Sequence, residues 1–379
     1  MNKPILAVVL LLVALGVEAS EGPVGSVVYL EGSPVLVRSG DVMDDPVDFG
    51  TQVLNYDQIS TAATDFAEVA IDASTGIDAV IRVHPASSFY FDISSLQEEQ
   101  RGSVELLAGS VSLNVSRLIG TSELEVRTGG AVMGVRGTTF DVSLGVNGDL
   151  LVTATEGRVV CRDDDGATLF ATPGQAVERS FDGRFQNIPI AVSDIETFRR
   201  EWLTERIEAF RGSPLQVLRF YSRRYLQLRG RFNQAYRELA ENRAVLDKWT
   251  REDRRGVVGS RAEQLREKRE IVGDLIQMRR ILFVFERVYY RLAELEANLP
   301  PAALSRPLAD GRTVGEFVGE LQRDRRVLAE RMQNVRYFFR LYAARNDGSV
   351  PTEVGEGTFS EDSFTDPDEF FDSDPFGRE

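Results

Sequence analysis

Cysteine, histidine and lysine are almost missing from this chain, and so is any long apolar run beyond its first twenty residues. Cys161 is the single cysteine, so no internal disulfide can form and stability has to come from packing. Its neighbours favour a small buried strand residue over a reactive thiol. His84, the single histidine, precedes Pro85 at the end of a strand-like run. With no second histidine and no thiol partner, a zinc site or a catalytic triad is hard to assemble, so no metal and no cofactor are expected. Lysine occurs only at positions 3, 248 and 268, which leaves arginine to carry nearly all the positive charge. The later apolar stretches are short, and Ile281–Phe285 has arginines on both sides.

The N-terminus is the exception. Met1-Asn2-Lys3-Pro4 leads into an unbroken apolar run from Ile5 to Leu15, and Gly16-Val17-Glu18-Ala19 follows. One basic residue, a short apolar core and a small-residue exit predict a secretory signal over 1–19, with the mature protein starting at Ser20. The run is shorter than the roughly 20 residues a membrane span needs. No cysteine stands near the cleavage point to take a lipid. The expected location is the periplasm, with no transmembrane span after cleavage.

Charge divides the chain in three. Residues 1–190 carry 11 basic and 26 acidic side chains, residues 191–346 carry 32 and 22, and residues 347–379 carry 1 and 11. The net charges are therefore −15, +10 and −10, which points to three physically different segments.

Residues 24–190 read as all-β. Alternating runs recur at 26–30, 67–71, 79–83, 110–115, 123–127 and 150–154, punctuated by Gly, Asn, Asp or Ser. "GSVVYLEGSPVLV" and "GSVELLAGSVSLNV" resemble one another, and "LVTATEGRVVC" has a similar strand-Gly-strand pattern. Such self-similarity predicts a β-solenoid-like domain or, alternatively, a β-sandwich of repeated hairpins.

From residue 193 to 346 the period changes. One apolar series runs Leu218, Tyr221, Tyr225, Leu228, Phe232, Ala235, Leu239, Leu246, Trp249; a second runs Ile271, Leu275, Met278, Leu282, Phe285, Tyr289, Leu292. A third is Val314, Phe317, Leu321, Leu328, Val335, Tyr342. These heptad-like seams predict long antiparallel helices, coiled-coil-like, broken at Gly256–Gly259 and at Pro300–Gly311. A shorter helix over about 194–210 leads in. The same seams offer a route to self-association.

Residues 347–379 combine Asp, Glu, Gly, Ser and Pro with five phenylalanines, at 359, 364, 370, 371 and 376. This composition predicts a disordered acidic tail, and its charge suggests docking on the basic helices.

Between Val126 and Val142 the chain reads "VRTGGAVMGVRGTTFDV". With "EGRV" at 156–159, "PGQAV" at 173–177 and "GSVVYLEGSPVLV" from Gly25, it resembles the FecR family of bacterial envelope proteins. The resemblance covers about 24–178, with Gly134, Val135, Arg136, Gly137, Thr138 and Phe140 on the family's Gly-Val-Arg-Gly-Thr-x-Phe core. It implies a β-rich periplasmic domain. Members named for iron-siderophore signalling relay a receptor's state to a sigma factor through a cytoplasmic N-terminal region and an anchor; here a signal peptide stands in that place.

Read from residue types, Arg136 can hold an anion or carboxylate with two parallel hydrogen bonds, and Gly134 and Gly137 let a backbone come close. The alternative is architectural, with the glycines making turns and Arg136 pairing with a nearby acid. "GGAVMGVRGT" lacks the Gly-Lys-Ser/Thr ending of a phosphate loop. Asp163-Asp164-Asp165-Gly166 lacks EF-hand spacing, and it and the acidic stretch Asp41 to Asp48 read as solvated turns rather than calcium loops. Arg254-Arg255, Arg279-Arg280 and Arg325-Arg326 interleave with glutamates and read as ion-paired helix faces, so no nucleic-acid partner is expected.

The function this supports is an exported, non-catalytic FecR-domain protein that binds an envelope protein or ligand, with the helices as scaffold or second interface. The alternatives are a component of an envelope signalling relay and a polysaccharide-active enzyme using acids such as Asp141 and Glu156.

Overall fold

The computed structural model describes residues 23–38, 41–93, 101–118, 123–135, 137–163 and 166–346. The expected signal peptide and acidic tail lie outside the described residues.

β1 (Gly25–Glu31) starts one sheet, and β2 (Val35–Arg38) with β3 (Asp41–Val42) starts a second. β4 (Gln52–Val53) returns to the first and β5 (Gln58–Ser60) to the second. β6 (Phe66–Ile71) and β7 (Ile77–Val83) then join the first sheet, β8 (Ser88–Asp92) and β9 (Arg101–Ala108) the second. β10 (Ser110–Leu118) is again in the first, and β11 (Glu123–Arg127) and β12 (Ala131–Val135) in the second. β13 (Thr139–Leu144) and β14 (Leu150–Glu156) extend the first, β15 (Val159–Asp163) and β16 (Thr168–Ala171) complete the second, and β17 (Gln175–Arg179) and β18 (Phe185–Pro189) complete the first. The sheets run β4-β1-β6-β7-β10-β13-β14-β17-β18 and β3-β2-β5-β8-β9-β11-β12-β15-β16. Every pairing among them is antiparallel except β9 with β11. Of the two folds expected, the sandwich is the one these hairpins resemble, because a solenoid's coils would stack mostly parallel strands.

Alternation along each strand decides what lies between the sheets. Val69, Ile81, Leu113, Val142 and Val152 from the first sheet share one apolar cluster with Phe89, Val104, Leu106, Val126 and Met133 from the second. Cys161 belongs to the same cluster, and burial pushes its thiol up to about 12. The repeated strand-Gly-strand stretches are the corners where the chain changes sheet: β1 to β2 at Gly32, β9 to β10 at Gly109, β14 to β15 at Gly157. At Gly109, φ is +79° and an added Cβ would sit 2.2 Å from the Ser87 Oγ, so only glycine fits.

Five helices follow: α1 (Ile195–Gly212), α2 (Pro214–Glu241), α3 (Arg243–Asp253), α4 (Arg261–Ala297) and α5 (Val314–Ala343). Reciprocal Ser260–Glu263 and Thr313–Glu316 hydrogen bonds start α4 and α5, satisfying the first free N–H groups. Pro214 opens α2, where its missing N–H costs nothing. The series read as continuous from Leu218 to Trp249 is divided at Asn242, whose side-chain amide donates to Asp274 at 2.6 Å. α2 and α4 run antiparallel, since Gln277 meets Glu238 and Phe285 stacks on Phe232. α4 and α5 are antiparallel as well, with Glu286 on Arg336 and Glu296 on Gln322. All three expected seams are buried between these helices, Tyr221 being the half-buried exception.

The helices cover both outer faces of the sandwich. α1 lies on the first sheet, where Trp202 packs with Leu151, Ala176 and Ile190. The Trp202 indole N–H donates to Glu178 at 2.7 Å, and Arg206 pairs with Asp149 at 2.6 Å. α4 and α5 lie on the second sheet, so β8 is buried on both sides.

Candidate functional site

The resemblance motif sits where the chain crosses from β12 to β13, that is, from the second sheet to the first. Gly134 pairs with Glu125 on one side and Val160 on the other. Arg136 lies outside the described residues. Gly137 is exposed, at φ +63°, with open space where a side chain would point. Thr138 is buried: its carbonyl accepts from the Val115 N–H at 2.9 Å, and its methyl group would lie 2.6 Å from a Cβ on Gly157. The motif and the "EGRV" corner therefore interlock. Phe140 is 1% exposed and fills the sandwich interior. Of the described core residues Gly137 is exposed, Gly134 is half-buried, and Val135, Thr138 and Phe140 are buried.

Sequence reasoning found no partner for His84, but the topology supplies one. Ser112, Asp141 and Thr153 are cross-strand neighbours on β10, β13 and β14. His84 Nε2 lies 2.6 Å from Ser112 Oγ, which donates to Asp141; Thr153 donates to the other Asp141 oxygen at 3.2 Å. Because the serine proton goes to the carboxylate, the imidazole donates to the serine and does not act on it as a base. A hydrolytic triad needs the acid on the imidazole's other nitrogen, so this row is a polar ladder across a sheet. Burial, with Arg199 nearby, pushes the His84 imidazole down to about 4, which keeps it neutral. Glu156, the second suggested acid, accepts from Thr139 at 3.4 Å while Asp141 is held by Ser112 and Thr153. Asp163 accepts from the Ala167 N–H at 2.7 Å in its own turn, and Asp164 and Asp165 lie outside the described residues. Asp48 accepts from the Phe49 N–H at 2.7 Å in the same local manner. No group of three or more metal-ligating side chains gathers among the described residues. Of the arginine pairs, Arg325 meets Glu296 and Arg326 meets Glu330 at 3.9 Å.

The densest buried polar chemistry is at the seam between the second sheet and the helices. Glu286 of α4 and Arg336 of α5 form a two-point ion pair, with Nε to Oε1 at 2.9 Å. The Arg336 guanidinium lies 3.3 Å above the centre of the Tyr90 ring. Gln58 donates to Tyr290 at 2.8 Å and to Ser88 at 2.7 Å, and Arg287 reaches Glu105 at 3.3 Å. Complete burial pushes the Glu286 carboxyl up to about 7, against the pull of Arg336. A cleft beside Arg336, walled by Val37, Tyr56, Gln58, Gln333 and Arg340, encloses about 10 Å³, the space of one water. Ligand pockets are usually at least 300 Å³, so this seam is an interface and not a small-molecule site. Sequence reasoning missed it. The available signal was a lone carboxylate in "ILFVFERVYY" and a lone arginine in "NVRYFF".

Comparison with known proteins rests on this sandwich. Residues 57–160 match the family model described as FecR protein. The FecR match includes the Gly134–Phe140 motif and Glu156–Val159, and ends short of the opening strands and of Pro173–Val177. The curated proteins offer no match. Two crystal structures of a "putative anti-sigma factor from Parabacteroides distasonis ATCC 8503", at 1.65 and 2.50 Å, are similar at 17% identity and a TM-score of 0.33. Each likeness covers 37% of this chain and 63% of the other, so the chain spans less than two thirds of their length. No described helix is long and apolar enough to cross a membrane.

Proposed function

We propose that this is an exported, non-catalytic FecR-domain protein of the bacterial periplasm that binds a separate envelope protein, with the helices holding the sandwich rigid. The observation that carries this reading is the FecR match over 57–160. The ladder geometry supports it, because Asp141 is spent on Ser112 and Thr153 and does not orient His84. The exposed apolar side chains Tyr29, Val35, Val42 and Phe49 belong to the strands and the loop at the end where β3 and β4 form the sheet edges, and Phe49 is 74% exposed. Such a patch suits a protein partner. Arg136 and Gly137 are a second contact point, with Gly134, Thr138 and Phe140 shaping the turn.

The test is photocrosslinking in intact cells, with benzoylphenylalanine at Phe49 in one strain and at Gly137 in another. A discrete adduct with one membrane protein, weakened by Arg136→Ala, is the expected result. No protein adduct at either position, together with thermal stabilisation by an envelope glycan, would overturn it. A signalling relay is the second reading, favoured by the family match; it requires that losing the adduct also changes transcription.

A further inference from the structure

Helix α2 carries six arginines before its first carboxylate, Glu238. Arg229 turns inward and pairs with Glu320 of α5 at 2.6 Å. Arg219, Arg223 and Arg237 share one exposed line of the helix, which starts at Gln216 and has Gln227, Gly230 and Gln234 between Arg223 and Arg237. Arg219 donates to the Pro307 carbonyl at 3.2 Å, and Arg223 and Arg237 meet no carboxylate among the described residues. On the flank, Arg224 is partly buried near Arg231; burial and that like charge push its guanidinium down to about 10.

We propose that this face of α2 is covered in cis by the chain's own C-terminal segment, residues 347–379. Charge supplies the first argument: the segment has 11 acidic side chains and 1 basic one. Position supplies the second. Asn346 is held by the Lys268 ammonium at 2.9 Å, and Asn242 at the end of α2 is held by Asp274, six residues further along the same helix. The segment thus leaves the fold about 9 Å, measured along α4, from where α2 ends. Length is sufficient, since α2 is about 42 Å long and an extended segment of this size spans on the order of 100 Å. Its phenylalanines alternate with acids, and half-buried Phe220 and Leu226 flank the arginine line to receive them. Tethering makes the contact effectively millimolar, so weak individual pairs are enough.

The experiment uses the full chain with benzoylphenylalanine in place of Phe364. The adduct should map to 214–241, form in a yield independent of protein concentration, and fall at least about fivefold between low salt and about 0.5 M. Arg219→Glu with Arg223→Glu and Arg237→Glu should abolish it. The corresponding triple change to Gln, gentler on folding, should lower it in the same direction. Adducts elsewhere, adducts that grow with concentration, or adducts that survive both triple variants overturn the proposal. So does binding of the full chain to phosphatidylglycerol vesicles through these arginines, because the face would then be open to lipid.

Discussion

The sandwich interior and the sheet–helix seam are both buried, but they are built from opposite chemistry. Between the sheets lies an aliphatic and aromatic cluster with no charged member, from Val27 at one end to Val177 at the other. Against the helices the second sheet buries Glu105, Glu286 and Arg336 around Tyr90 and Gln58. Area removed from water holds the interior together and tolerates changes that preserve volume. A buried ion pair adds little net stability over well-packed apolar residues, but it penalises any docking that separates the partners. The interior supplies stability, and the seam selects one face and one register for α4 and α5.

The largest effect expected from breaking this contrast is in the interior. Phe140→Ala should lower the unfolding free energy in urea by about 4 kcal/mol, through lost burial and the cavity it leaves. At the seam, Arg336→Ala should cost about 3 kcal/mol, because Glu286 is stranded without its partner. Replacing both with methionine should restore most of that loss. A double variant as unstable as Arg336→Ala would show that the seam depends on the charges themselves.

Titration separates two polar sites on the outer faces of the sandwich, the His84 ladder beside Arg199 of α1 and the Glu286 pair of the seam, because they move in opposite directions. His84, held neutral well below its ordinary value, contributes stability that is complete above about 6.5 and is lost as pH falls through about 4. Glu286 is held above its ordinary value, so its contribution is complete below about 4.5 and is lost as pH rises through about 7. His84→Asn should flatten the acid limb of a stability–pH curve, by on the order of 1–3 kcal/mol at pH 4. Glu286→Gln should flatten the stretch from 4.5 to 7 and leave the acid limb in place. The smallest effect is at the corner shared by both sheets. Gly157→Ala, at φ +75° and against Thr138, should cost about 1–2 kcal/mol in the same assay.

Legibility follows the same division. The six alternating runs in the sequence fall in β1, β6, β7, β10, β11 and β14, whose outer faces differ in polarity from their inner ones. β8, "SFYFD", sends Phe89 and Phe91 inward and Ser88 and Tyr90 to the seam, and what its sequence does not report is that the polar face is buried as well. The helical seams were plain since each helix keeps a polar face. Asn242 was not legible as a break, because the apolar spacing continues across it and the side-chain contact with Asp274 is a tertiary matter. The ladder of His84, Ser112 and Asp141 joins residues 28 and 29 positions apart through strand register, which no local pattern reports. Glu286 and Arg336 are separated by 50 positions and meet through the antiparallel packing of α4 on α5, which no local pattern reports either.

The order of the elements along the chain gives the doubly covered strand a further meaning. Tyr90 stands about 250 positions before Arg336, so a sheet that forms before the helices dock presents to water a face that the finished molecule buries. A face of leucines would invite other unfinished chains to stick. Gln58, Ser88 and Glu105 keep it wettable until then, and each finds a partner on α4 or on the adjacent strand when the helices dock.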